Sequence, residues 1–379
     1  MLAREGAVTV PADELVPLPD LQVTGPRRRW LHAVLTCAIG AAAAAAAFSF
    51  AGGVAPALDA LTHMDRSLVV LAGACVVVSY LFLGLHVRYL AGPREHAKRA
   101  APMRTALIVF GLGSVLPAAP FEGFALAGHA LRRRHLDRGR LALVLGFSQW
   151  FSVRGLFAVA AIDATVAVVL SHLPPAYVHG TLAASLGVLL LLALTGWLSM
   201  QQRCAEWIAL VGLRLRFLRR CPPADHRRAR GAAWHGAVLH VAGRRRDRFV
   251  LLGTSMVAWM FDGLCLYFAL RACGVTVSLD ILLLAYTVGI LASMVPLLPA
   301  GVGVVETTTP LILSAFGVPL STALAAVLAY RVLATLAPAM AGGLAFLGLR
   351  LAPAPTPPTA PVDALVDEST AEARVLAPR

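Results

Sequence analysis

Long apolar runs separated by short arginine-rich blocks are the feature that most constrains this chain. Six of the runs are long enough to cross the roughly 30 Å hydrocarbon core of a bilayer as helices. Hydrophobic residues make up 58% of the 379-residue sequence and charged residues only 14%, whereas soluble domains have about 25% charged residues. These proportions exclude a soluble globular enzyme. The six predicted spans cover about 30–53, 67–90, 141–171, 181–200, 249–270 and 322–349.

The net charge of +13 is divided among loops rather than spread over one face, which argues against a nucleic-acid-binding surface. Arginine-rich blocks follow the polar N-terminus and fill the long loop 203–248, while the connections predicted on the other side of the membrane carry almost no basic residues. Cytoplasmic loops of membrane proteins are enriched in basic residues. The sequence therefore predicts a multi-pass plasma-membrane protein whose N- and C-termini are cytoplasmic.

Two further apolar stretches, 105–131 and 281–316, are each interrupted by a pair of prolines. Proline removes a backbone donor and disfavours helix at the preceding residue. Broken backbone at membrane depth is tolerated only inside protein or along a cavity. The first stretch has basic residues on both flanks and the second has them on neither, so we predict two re-entrant helical hairpins entered from opposite sides. The prolines are Pro117 and Pro120 in the first stretch and Pro296 and Pro299 in the second.

The two broken stretches share the spacing S-x-x-P-x-x-P, at 114–120 and at 293–299. Each half of the chain has the order span, span, hairpin, span, and the charge distribution gives the halves opposite orientations. Inverted repeats with broken helices at matching positions are typical of transporters that bind substrate near the midplane. The predicted fold is thus an all-α polytopic membrane protein with an inverted-topology repeat. The predicted boundaries are a disordered segment 1–29, a transmembrane domain 30–350 with halves 30–171 and 181–349, and a disordered tail 351–379.

Four of the charged residues inside the predicted membrane segments recur in the same order in the two halves: Glu122 and Arg154, then Glu306 and Arg331. A charge in this environment needs a partner or water. We expect the pairs Glu122–Arg154 and Glu306–Arg331, or the crossed pairs, near the midplane. An arginine fork suits a lipid phosphate, and the glutamates would hold the arginines when no lipid is bound. A static ion pair that fixes helix packing is the alternative.

Other polar residues in the spans carry weaker predictions. Asp163 and Asp262 are candidate proton or ion ligands, although a hydrogen bond between helices explains each at least as well. Trp150 lies one turn before Arg154 and shares its helix face. The six cysteines show no spacing typical of disulfides or zinc ligands, and no metal or other cofactor is predicted.

The stretch 299–306 reads P-A-G-V-G-V-V-E, in which Gly301 and Gly303 permit a tight backbone path. Together with G-V-P at 317–319 and the Tyr330-Arg331 pair, it resembles the closing signature of the lysylphosphatidylglycerol synthase transmembrane-region family. Members of that family are also described as flippase-like membrane proteins. The resemblance therefore implies an integral membrane domain that moves lipids.

The likeness extends over about 30–350. Two positions depart from the family pattern: Ala300 stands where the family usually has Gly, and the first-half motif reads F-E-G at 121–123. Full-length synthases of this family carry a soluble aminoacyl-transfer domain after the membrane region. Because the present sequence continues only into a short tail, we expect that transferase activity to be absent.

The resemblance implies translocation of a phospholipid or an isoprenoid-linked lipid between leaflets, with anionic lipid head groups as the expected partners. The alternative from a different class is a non-transporting accessory subunit for a lipid- or envelope-modifying enzyme. A membrane enzyme acting on head groups is the weakest reading, since no nucleophile elbow, Walker loop or H-E-x-x-H motif occurs in the sequence. Without a nucleotide site, we expect movement that is downhill or driven by an ion gradient.

Overall fold

The computed structural model describes residues 59–91, 100–115, 138–169, 245–293 and 303–351, together with the helical positions 186, 187, 190 and 194. Within these ranges every regular element is helical and no strand occurs. The elements are α1 (Arg66–Ala91), α2 (Ala100–Ala106) with a π-helical turn (Leu107–Gly111) and a 3-10 turn (Leu112–Val115), α3 (Arg138–Val169), α4 (Arg245–Ala272), α5 (Leu279–Ser293), α6 (Val305–Ala315), α7 (Leu320–Arg331), a second π-helical turn (Val332–Leu336) and α8 (Ala337–Leu351).

Four helices in the described ranges are long and apolar enough to cross a membrane. They are α1, α3, α4 and the continuous run from α7 through α8, and they correspond to four of the six predicted spans. The predicted span 30–53 and most of 181–200 lie outside the described residues. The prediction of an all-α polytopic membrane fold is therefore confirmed.

The outer side of α8 is an apolar stripe. Met340, Leu344 and Leu351 follow one another at helical spacing and are 69%, 70% and 83% exposed. Exposed apolar side chains in such a continuous row are unfavourable in water and favourable in lipid. The row therefore faces the hydrocarbon of the membrane.

Helix α4 begins at Arg245, so residues 245–248 belong to the helix and not to the predicted loop 203–248. Hydropathy detects the apolar centre of a span, whereas long arginine side chains at a helix end reach the polar interface without ending the helix. The hydroxyl of Tyr89 on α1 also donates to Asp247 Oδ1 at 2.6 Å. This bond holds the first turn of α4 in place.

Helices α1 and α4, the second spans of the two predicted halves, run antiparallel along their whole length. The backbone N–H of Asp65, just before α1, donates to the oxygen of Ala272 at the end of α4, at 3.0 Å. The rings of Phe82 and Phe261 stack near the centre. At the other end Tyr89 bonds to Asp247. Equivalent helices of the two halves thus have opposite directions, in agreement with the predicted inverted repeat.

The two halves also exchange their short helices, in the sense that a short helix of each half packs against a span of the other half. The π-helical turn after α2 packs against α8, the last span of the second half, through Gly111 beside Pro338 and through Gly342 beside Leu107. In the corresponding contact, α5 of the second half packs against α3, the last span of the first half. Each half therefore completes the packing of the other, as expected for two repeats related by a pseudo-twofold axis.

Helices α5 and α6 form a short antiparallel hairpin. Gly289 of α5 lies against Thr309 of α6, while Ile281 and Phe316, at the open end, line the same surface pocket. The 15 residues of α5 rise about 22 Å, less than the roughly 30 Å of a full span. Residues 294–302 between the two helices lie outside the described residues, so the re-entrant character of this hairpin stays a prediction.

The breaking prolines of both predicted hairpins lie outside the described residues, at 116–137 for the first and 294–302 for the second. The largest apolar core lies where α1, α4, α5, α6 and α7 meet, around Leu266, Leu282 and Leu313. Helices α5 and α6 are therefore buried against α4 and α7. These two spans also contribute side chains to the polar site.

Asp65 caps the first turn of α1 outside the membrane. Its Oδ1 accepts hydrogen bonds from the backbone N–H of Ser67 at 2.8 Å and from the Ser67 hydroxyl at 2.6 Å. These bonds to Ser67 hold the pKa of Asp65 below its ordinary value. A lowered pKa means that the carboxylate stabilises the folded protein above the unfolded-state pKa and that this contribution disappears as the pH falls through the folded-state pKa.

We therefore expect Asp65→Ala to lower the melting temperature by a few degrees at neutral pH, since the cap is lost. The difference from the wild type should vanish in acid, where the wild-type carboxyl is protonated. Thermal unfolding of the purified protein across a pH series measures it. Asp59, which lies six residues earlier and does not cap α1, provides the control substitution Asp59→Ala.

Candidate functional site

Glu306 lies in the first turn of α6 and its side chain is only 10% exposed. The chain enters α6 through Gly303, whose φ of 84° lies in the left-handed region that favours glycine. This conformation directs the Gly303 N–H to Glu306 Oε2, at 2.7 Å. The glycine thus anchors one carboxylate oxygen, and the negative charge sits at the positive end of the helix dipole.

Arg331 ends α7 and meets the other oxygen of that carboxylate. Its Nε donates to Glu306 Oε1 at 2.8 Å, and its Nη1 donates to the hydroxyl of Thr335 at 3.0 Å. The Arg331 side chain is 12% exposed. The second of the two predicted ion pairs is therefore present, and it joins the α5–α6 hairpin to the last span.

The helix changes its hydrogen-bonding pattern immediately after this arginine. Residues Val332–Leu336 form a π-helical turn, a feature that occurs often at functional sites. The wider turn includes Thr335, which holds the far side of the guanidinium. This irregularity was not predicted, since the segment contains neither Pro nor Gly.

A second polar group, which we call the aspartate–tyrosine cluster, lies next to the ion pair. Asp262 Oδ2 on α4 accepts the hydroxyl of Tyr330 at 2.7 Å and that of Tyr286 at 2.8 Å. Tyr330 is adjacent to Arg331 in sequence but turns to a different carboxylate. Asp262 and Arg331 interact electrostatically. Two carboxylates therefore lie near one guanidinium.

Sequence reasoning ranked Asp262 as a minor candidate and missed Tyr286 altogether. The signal available was a phenol inside an apolar run, which requires a hydrogen-bond partner once buried. Tyr286 is 2% exposed and its hydroxyl also lies 3.1 Å from the backbone oxygen of Trp259. The cluster confirms the expected hydrogen bonding of Asp262 between helices.

In the first half, Arg154 lies over the ring of Trp150, with 4.2 Å between the guanidinium carbon and the ring centroid. The predicted shared face of these two residues is thus confirmed, and the contact is a cation–π interaction. Glu122, the expected partner of Arg154, lies outside the described residues. The same is true of the predicted site residues Pro117, Pro120, Pro296, Pro299 and Gly301.

Asp163 lies on α3 and is 4% exposed, and its Oδ2 has no hydrogen-bond partner among the described residues. It interacts electrostatically with Tyr286 of the aspartate–tyrosine cluster. Among the described residues, no group of three or more His, Cys, Asp or Glu side chains has the arrangement of a metal site. The polar core of the described spans is therefore suited to binding ions or protons through single carboxyls and phosphate through arginine.

Comparison with known proteins supports the resemblance noted in the sequence. No curated protein matches the chain. The family model described as "Lysylphosphatidylglycerol synthase TM region" matches residues 33–342, a range that contains every helix of the site. The chain therefore belongs to the lysylphosphatidylglycerol synthase transmembrane-region family.

Proposed function

We propose that this membrane protein moves a phospholipid or an isoprenoid-linked lipid between the two leaflets, and that Arg331 binds the anionic head group. The observation that carries the proposal is the buried pair of Arg331 and Glu306 at the junction of the α5–α6 hairpin and a π-helical turn. A charged pair inside a membrane is costly and commonly marks a substrate or ion pathway.

The geometry of the pair supports exchange of one anion for another. Glu306 is held by two groups, Arg331 through Oε1 and the Gly303 N–H through Oε2. A lipid phosphate carries the same charge as the carboxylate and matches the guanidinium fork. It can take the place of Oε1 while Gly303 keeps Glu306 anchored. Arg331 then changes partners without becoming an isolated charge.

The arrangement of the halves provides the second support. Antiparallel α1 and α4 and the exchanged short helices form an inverted repeat, the architecture in which transporters place a central site that is opened alternately to the two sides. The distribution of arginine favours a plasma-membrane location with both termini in the cytoplasm. Transport rather than catalysis is the activity we assign.

A leaflet-exchange assay tests the proposal. The protein is reconstituted into vesicles of phosphatidylethanolamine and phosphatidylglycerol that contain a fluorescent phosphatidylglycerol, and a membrane-impermeant quencher reports the outer-leaflet fraction over time. We expect Arg331→Gln to slow exchange by about tenfold or more, since hydrogen bonds to charged groups contribute about 1.5–3 kcal/mol. Arg331→Lys should retain part of the rate, because Lys keeps the charge but loses the fork.

Arg271→Gln is the matched control. Arg271 lies exposed at the end of α4, so its replacement removes the same charge away from the ion pair and should leave the rate unchanged. A wild-type protein that exchanges lipid no faster than empty vesicles would contradict transport and favour the role of accessory subunit. An Arg331→Gln variant as fast as the wild type would remove Arg331 from the mechanism.

A further inference from the structure

We propose that Asp262 is a proton-binding site and that its protonation moves the hydroxyl hydrogen of Tyr286 from Asp262 to the backbone oxygen of Trp259. The proposal adds a coupled proton to the proposed lipid transport. The coupling rests on the proposed function, whereas the proton site does not. The observations that carry it are the positions of two acceptor oxygen atoms around the Tyr286 hydroxyl and the balance of charge near Arg331.

The hydroxyl of Tyr286 has two acceptors and only one hydrogen. Asp262 Oδ2 lies 2.8 Å from the Tyr286 oxygen and the Trp259 carbonyl oxygen lies 3.1 Å from it. When Asp262 is ionised, the hydroxyl donates to the carboxylate. When Asp262 carries a proton on Oδ2, that O–H can donate to the Tyr286 oxygen, and the Tyr286 hydrogen turns to Trp259. Both states satisfy every group, and only one O–H bond, at Asp262, is formed or broken.

Charge balance identifies Asp262 as the carboxyl that takes the proton. With both carboxyls ionised, Asp262, Glu306 and Arg331 together carry one net negative charge, which is unfavourable away from water. Glu306 is the direct ion-pair partner of Arg331, so protonating it would break the pair. The contacts of Asp262 are neutral phenols, and a proton there removes the excess charge and leaves the pair intact.

The described groups around Asp262 contribute no second cation. On the described elements packed around it, the titratable groups that interact with Asp262 or with its partner Tyr286 are Tyr80 of α1, Asp163 of α3, Cys265 of α4, Tyr286 of α5, and Tyr330 and Arg331 of α7. Arg331 is the one cation of this set. Asp262 itself is partly exposed, so a proton can reach the carboxyl, whereas the phenols of Tyr286 and Tyr330 already carry their hydrogens.

The direction of coupling follows from the positions of the charges. An ionised Asp262 attracts the Arg331 guanidinium and repels an approaching phosphate, while a protonated Asp262 does neither. Proton uptake at Asp262 therefore strengthens binding of an anionic head group at Arg331. By linkage, head-group binding favours proton uptake to the same degree. Tyr330, bonded to Asp262 and adjacent to Arg331, connects the two events.

Infrared spectroscopy of the full-length protein in lipid nanodiscs tests the proton site without any transport assay. We expect one component of the protonated-carboxyl band that appears as the pH is lowered, is missing in Asp262→Asn and is retained in Asp247→Asn, the control on the same helix. Tyrosine ring bands should change in the same pH range and should weaken in Tyr286→Phe. A pH-induced difference spectrum in which the wild type and Asp262→Asn show the same carboxyl components would overturn the proton site. Tyrosine changes at full amplitude in Tyr286→Phe would overturn the switch.

The coupling has its own readout in the vesicle assay with fluorescent phosphatidylglycerol. Wild-type exchange should depend on pH, and Asp262→Asn, which mimics the protonated carboxyl, should lose that dependence while still exchanging lipid. Pronounced pH dependence in Asp262→Asn would overturn the coupling. Vesicles in which the wild type exchanges no lipid would count against the proposed function alone, since the infrared titration reports on Asp262 independently.

Discussion

Glu306→Ala is expected to destabilise the protein by about 3–5 kcal/mol, the range measured when one partner of a buried ion pair is removed. The substitution leaves the Arg331 guanidinium, 12% exposed, without its carboxylate in the interior of the spans. It also removes the acceptor of the Gly303 N–H. The double variant Glu306→Ala with Arg331→Met should be more stable than Glu306→Ala, because it leaves no buried guanidinium without its carboxylate.

A double-mutant cycle on these positions separates the ion pair from simple loss of packing. Glu306→Gln is the informative intermediate, since its amide oxygen can still accept the Gly303 N–H while the charge is gone. Unfolding of the purified protein by titration with a denaturing detergent provides the free energies. If the changes in unfolding free energy of the two single variants add up to that of the double variant, Glu306 and Arg331 are not energetically coupled. Glu306 would then not be the partner that a lipid phosphate replaces.

Gly342→Ala is expected to destabilise the protein by about 1–3 kcal/mol, the usual cost of forcing extra volume into a packed core. A Cβ at Gly342 would overlap the carbonyl oxygen of Leu107 and lie 2.8 Å from the backbone nitrogen of Leu112. Both atoms belong to backbone, which cannot turn aside as a side chain can. Together with Gly111 beside Pro338, this contact joins the π-helical turn after α2 to the last span.

The adjacent glycine provides a matched control for this substitution. A Cβ at Gly343 would meet no atom within 4 Å, so Gly343→Ala should be neutral or should stabilise α8 by up to about 1 kcal/mol through the higher helix propensity of alanine. Melting temperatures of the two variants under identical detergent conditions give the comparison. Equal stability of Gly342→Ala and Gly343→Ala would show that α2 and α8 do not approach as closely as the structure indicates.

Much of the fold follows from the sequence because lipid imposes a simple requirement. A span must be apolar over its full length, so α1, α3, α4 and α7–α8 were found from hydropathy alone. The pairing of Glu306 with Arg331 was predictable for the same reason, since a charge in hydrocarbon requires a partner. The boundaries were less accurate, as at Arg245, because hydropathy does not register a helical turn at the interface.

The aspartate–tyrosine cluster and the exchanged helices could not be predicted in this way. Tyr286 and Tyr330 reach Asp262 over separations of 24 and 68 residues, and no local pattern specifies which phenol meets which carboxylate. Gly342 can approach Leu107 only because glycine has no side chain. The sequence does not distinguish Gly342 from the other glycines, since the chain contains 32 of them. Such pairings are decided by the relative placement of helices rather than by composition.

The exchange of short helices between the halves has a consequence for biosynthesis. The face of the π-helical turn Leu107–Gly111 is made early, yet the surface that covers it, on α8, is made only after α3 to α7. Until then α2 and its π-helical turn remain in the membrane without their packing partner, a non-local contact of the kind that slows folding. A chain truncated before α8 would therefore expose this face to lipid and to quality-control proteases, even though every earlier span had already been inserted.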